Sequence, residues 1–139
     1  MIDLSDFEDV AKARLEDAIV LAIFDRYDGA IYLCGFAVEI ALKIYISKEN
    51  KLQTFPETDQ EFKTFPIKNI KTHNLVNLRA LSPSIDKSLK TNRDHQKRFD
   101  LLRQNWNVDY RYKKLAGVGI QSDCIDIIEA TEYLLKVIL

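Results

Sequence analysis

Between Ala30 and Tyr45 only Glu39 and Lys43 carry charge, and apolar side chains recur on nearly every side of the helix these residues predict. A helix apolar all round belongs in the centre of a bundle or in a membrane. Ten uncharged residues, Gly29 to Val38, precede Glu39, short of the roughly 18 that a span requires. The pattern predicts a buried central helix and no membrane segment.

The flanking segments read as further helices. Ser5-Asp6-Phe7-Glu8 has the S-x-x-E form of a capping box, which places the start of a first helix there. Phe7, Val10, Ala11, Leu15, Ala18, Ile19, Ala22 and Ile23 then follow a 3.6-residue stripe. The short link from Arg26 to Gly29 makes the first two helices an antiparallel hairpin, the second ending near Ser47 or Lys48. Residues 49–72 are polar, carry Pro56 and Pro66, and hold Phe55, Phe62 and Phe65 as scattered anchors, so a long irregular loop is expected. His73-Asn74-Leu75 starts a short third helix that stops at Ser82-Pro83-Ser84. The fourth should run from about Ile85 to Asn105 and the last from Ser122, with Cys124, Ile127, Ile128, Leu134, Leu135 and Ile138 inward. No stretch alternates at period two for long enough to predict a strand. The expected fold is all-α, an up-and-down bundle of about five helices in one domain spanning 1–139.

Composition adds two points. The cysteines, Cys34 and Cys124, sit in apolar helical patterns without metal-ligand spacing, and the chain opens on acidic Ile2-Asp3-Leu4-Ser5-Asp6 rather than a signal peptide. Buried free thiols in a reducing cytoplasm are expected, with no metal and no cofactor. The net charge of −1 conceals an asymmetry: residues 1–29 hold three basic and eight acidic groups, residues 63–114 thirteen basic and four acidic. A half-chain at +9 could attract nucleic acid or an acidic partner. The overall pI near 6.1 lies well below the value above about 9 usual for a dedicated nucleic-acid binder.

Candidate chemistry starts with the two buried charges. Glu39 and Lys43 stand at i,i+4 with the acid first, the better order for a helical pair. A carboxylate in a core needs partners, and one ammonium leaves an oxygen unmet. Arg111, in the aromatic bend Trp106-Asn107-Val108-Asp109-Tyr110-Arg111-Tyr112, has the planar fork suited to a carboxylate and is expected to reach Glu39.

Three pieces, Ala30 to Lys43, Thr72-His73-Asn74-Leu75-Val76-Asn77-Leu78, and Trp106 to Tyr112, together resemble the HEPN domain (higher eukaryotes and prokaryotes nucleotide-binding). The resemblance covers about residues 10 to 138. It implies an up-and-down helical bundle, commonly a homodimer, acting beside a nucleotidyltransferase-type protein in prokaryotic toxin–antitoxin or defence modules. Glu39, Lys43, His73, Asp109, Arg111 and Tyr112 form the candidate polar cluster, structural or binding. Many HEPN toxins are metal-independent ribonucleases with arginine, four to six residues, then histidine. This chain departs from that pattern, offering only Lys68-x4-His73 and Lys90-x4-His95. His95, Lys90 and Arg93 are the catalytic candidates of such a degenerate site, although five positions on a straight helix fall on different faces and a kink or a dimer partner would be needed. Two functions follow from the resemblance: a non-catalytic dimer that binds a partner protein, nucleotide or RNA, or a degenerate endoribonuclease.

Overall fold

A computed structural model describes residues 1–112 and 120–139. Its described residues form an all-α bundle of seven helices with one minimal strand pair. Helix α2, Tyr27–Glu49, is the axis: Ala30, Ile31, Cys34, Gly35 and nearly every residue from Ala37 to Ser47 are buried. Helix α1, Leu4–Ile23, folds back along it through a three-residue turn, and α7, Ile120–Ile138, covers another side. By length and composition α2 could cross a bilayer, yet 72% of its most apolar stretch is buried inside the protein. Its apolar circumference is met by neighbouring helices, the bundle solution to a stripe that goes all the way round.

Several boundaries differ from the sequence pattern, each for a local reason. Helix α1 starts at Leu4, before the Ser5 box, because β1, Ile2–Asp3, pairs antiparallel with β2, Thr54–Phe55, and Leu4 N–H donates to Gln53 O at 3.0 Å. The strands are two residues each, too short to show an alternation. The capping box instead lies at Thr58 and Glu61, opening the one-turn α3, Asp59–Thr64, inside the expected loop. That loop is packed down: Phe55 meets the rings of Phe7, Phe62 and Phe65 at 5.0–5.7 Å. Ile23, predicted inward, is 70% exposed beside Phe24 and Val20, because α1 ends there and the turn carries its last residues past the core.

The expected fourth helix is two helices. Helix α5, Pro83–Thr91, and α6, Arg93–Asn105, are separated at Asn92, which is extended (φ −121°, ψ 110°) and accepts from the N–H groups of Asp94 and His95. The break puts Lys87 and Lys90 on one helix and Arg93, Lys97 and Arg98 on the next. Before them, α4, Leu75–Ala80, is capped by Asn74 and packs on α2. After α6 a 3-10 turn, Val108–Tyr112, holds the aromatic bend against α2.

One contact fixes that bend. Trp106 lays its indole directly on the α2 backbone at Gly35 and donates Nε1–H to Tyr32 O at 2.9 Å. A Cβ at position 35 would stand 2.1 Å from the indole, so glycine is required by space rather than by backbone angle.

Both cysteines are buried and free. Burial pushes the Cys34 thiol up to about 12 and raises Cys124 as well. Thiolate is the reactive form, so iodoacetamide near pH 8 should label neither cysteine in the folded protein and both after unfolding. Mass spectrometry of the intact chain reads this directly, and rapid native labelling would contradict the packing of α2 on α7.

Candidate functional site

The charges in the core of α2 lead outward to a cleft. Lys43 Nζ donates to Glu39 Oε1 at 2.7 Å, and both side chains are less than a tenth exposed. His73 Nδ1 also reaches the carboxylate, 3.0 Å from Oε1 and 3.1 Å from Oε2. An ionised carboxylate only accepts, so Nδ1 carries the proton and donates. Glu39 thus has an ammonium and an imidazole as partners, which meets the demand of a buried charge. Lys43 is further held over the Phe55 ring, 5.7 Å from its centroid.

His73 is placed by its neighbours in sequence. Thr72 Oγ1 accepts from Asn74 N–H at 3.1 Å, and Asn74 Oδ1 accepts from Asn77 N–H at 2.9 Å, so the two turn the chain into α4 and swing His73 towards α2. Phe36 completes the wall, edge-on to His73 at 6.2 Å and to Trp106 at 5.7 Å. In front of these lies a cleft of about 540 Å³ lined by Lys71, His73, Arg103, Trp106, Asn107 and Asp109 among others. Its shape depends on the indole seated at Gly35.

Of the sequence-predicted polar cluster, Glu39, Lys43 and His73 are in contact and Asp109 shares the cleft, its N–H donating to Asn107 Oδ1 at 2.8 Å. Arg111 and Tyr112 are described only as backbone of the 3-10 turn, and the expected Arg111–Glu39 pair lies outside the described residues, as do Lys113 and Lys114. Arg103 was not among the predicted site residues. It lies three positions before Trp106, a spacing that puts both on one side of the chain, and that is the signal that could have found it.

The catalytic candidates do not assemble into a site. His95 Nδ1 is bonded to Tyr133 Oη at 2.6 Å, in contact with α7. Lys90 Nζ pairs with Asp86 at 2.7 Å on α5. Arg93 opens α6 beyond the Asn92 break. Lys90 and Arg93 line a second groove of about 1100 Å³ between α6 and α7, where Lys97 and Arg98 face Asp126 and Glu129, and His95 is not among its lining. Arg98 lies over the Tyr133 ring at 4.8 Å, so His95, Tyr133 and Arg98 form a packed joint between the two helices. Among the described residues no cluster of three or more acidic, histidine or cysteine side chains is placed to hold a metal.

Fold and cleft define a helical-bundle protein with a buried ion pair opening onto a surface histidine. Comparison with protein-family models, with curated proteins and with solved structures finds no match.

Proposed function

We propose that this chain is a HEPN-type binding component of a prokaryotic toxin–antitoxin or defence module. In this reading it works as a homodimer beside a nucleotidyltransferase-type protein and receives a nucleotide or RNA in the His73 cleft. The observation that carries the reading is convergence. The three pieces on which the resemblance rests lie far apart in sequence and meet at the same cleft: His73 from the second and Trp106 and Asp109 from the third line it, and Glu39 and Phe36 from the first contact His73 and Trp106. The homodimer is supported by the apolar corner of Val20, Ile23 and Phe24, which are 52%, 70% and 72% exposed. Contiguous exposed apolar surface marks an interaction site.

The ribonuclease reading keeps one specific support, and it moves from His95 to His73. An imidazole whose Nδ1–H is held by a carboxylate keeps Nε2 available as a general base, and Lys71 and Arg103 stand at the same cleft. Incubating the purified protein with total RNA and with nucleotides separates the two. The binding reading expects retained ligand and intact RNA. RNA shortening that disappears in His73→Gln and persists in His95→Gln would replace it with the ribonuclease. Light scattering checks the assembly: twice the 16.1 kDa of the chain is expected, and the single mass at micromolar concentration would remove the homodimer.

A further inference from the structure

We propose that the cleft beside His73 is a binding site for a phosphate monoester, met by the imidazole edge opposite Glu39 and by Arg103. The inference rests on the binding reading above and names its ligand chemistry. Nδ1 of His73 is committed to Glu39 while the side chain as a whole is 51% exposed. The two ring nitrogens lie on opposite edges, so Nε2 is the edge left to the cleft, and among the described residues nothing bonds it.

Among the described residues the charged groups around this position are Glu39 and Lys43 from α2, Lys71 from the segment before α4, Arg103 from α6 and Asp109 from the 3-10 turn. Lys43 already balances Glu39 at 2.7 Å, so the buried pair does not repel an anion. At the rim Lys71 and Arg103 each have a carboxylate partner, Asp59 and Asp100, and Asp109 stands beside them. Arg103 gives its Nε to Asp100 at 2.8 Å, which leaves its Nη groups for a second contact. A phosphate monoester offers three terminal oxygens, enough to meet guanidinium, imidazole and ammonium together, whereas a phosphodiester within a strand offers two. A volume of about 540 Å³ suits a mononucleotide-sized group, since small-ligand pockets run roughly 300–1,000 Å³.

The geometry also sets the proton count. Because Nδ1–H is given to Glu39, a contact between Nε2 and a phosphate oxygen needs one more proton, held on the imidazole or on the phosphate. Binding of a phosphate dianion to the neutral imidazole therefore takes up one proton.

Calorimetric titration of the full chain tests this with inorganic phosphate, adenosine 5′-monophosphate and adenosine, each in two buffers of different ionisation enthalpy. Phosphate and the monophosphate should bind, adenosine should not, and the buffer dependence of the heat should report proton uptake. His73→Gln and, independently, Arg103→Ala should each weaken the monophosphate by about tenfold or more, the loss expected for a hydrogen bond to a charged group. Melting curves establish that both variants fold. A short RNA with a 5′-phosphate, compared with its 5′-hydroxyl form, separates an RNA end from a free nucleotide as the source. Monophosphate binding unchanged in both variants would overturn the site and leave the binding reading standing. RNA retained regardless of its 5′ end, with no affinity for phosphate or monophosphate, would do the same. No affinity for any of these ligands would overturn both.

Discussion

Gly35→Ala should destabilise the protein by about 2 kcal/mol, even though alanine is the better helix former by about 1 kcal/mol. The two effects oppose each other, so the sign of the result is diagnostic. Propensity alone would raise the melting temperature. The structure places the new Cβ 2.1 Å from the Trp106 ring, so the indole must leave its seat and its 2.9 Å bond to Tyr32 O. Forcing extra volume into a packed site costs typically 1–3 kcal/mol, and the displaced hydrogen bond adds about 1 more. A net loss of that size lowers the melting temperature of a domain this large by roughly 5–10 °C. Pairing Gly35→Ala with Trp106→Leu separates clash from propensity: relative to Trp106→Leu alone, the added alanine should be neutral or stabilising. A single Gly35→Ala variant that melts higher than wild type would remove the Trp106–Gly35 contact from the account.

Glu39→Gln should cost more, about 3–5 kcal/mol, because it leaves the Lys43 ammonium buried without its counter-charge. Lys43 is 7% exposed, and the ion pair that holds it is 2.7 Å long. Removing both charges is a different matter. Replacing a buried pair by apolar groups of similar volume is often neutral or stabilising, so Glu39→Gln with Lys43→Met should recover most of the loss. The double-mutant cycle then isolates the coupling between the two side chains. His73 behaves differently from Lys43 in this scheme. It is exposed at one edge, so His73→Gln should lower stability far less than Glu39→Gln while removing the group the cleft presents. Equal and small losses from all the single variants would mean that the carboxylate is solvated.

The parts of this fold that read well from sequence are those whose signal is local. The all-round apolar run of α2 needs neighbours on every side, and the inward residues of α7 repeat at helical spacing; both match the burial found. The break at Asn92 left no such signal, because Lys90 to Arg98 contains no apolar residue and so no stripe whose phase could shift. Only the cap chemistry of Asn92, accepting two N–H groups of the following turn, marks it. The contacts that shape the cleft join distant positions. Glu39 meets His73 across 34 residues and Trp106 meets the backbone at Tyr32 across 74. The sequence shows that Glu39 needs partners without showing which residues supply them; His73 is one, and the expected Arg111 contact lies outside the described residues. Gly35 carried a readable hint: a glycine inside an apolar helix costs about 1 kcal/mol against alanine, which requires a reason such as the approach of an indole.

The central claim is that Glu39 aligns His73 at the floor of the cleft, and side-chain nitrogen NMR of the two histidines tests it most directly. The account predicts that neutral His73 in the wild type carries its proton on Nδ1, and that Glu39→Gln weakens or removes this preference while leaving the tautomer of His95 as it was. His73 found with its proton on Nε2, or unaffected by Glu39→Gln, would contradict the alignment and with it the chemistry assigned to the cleft.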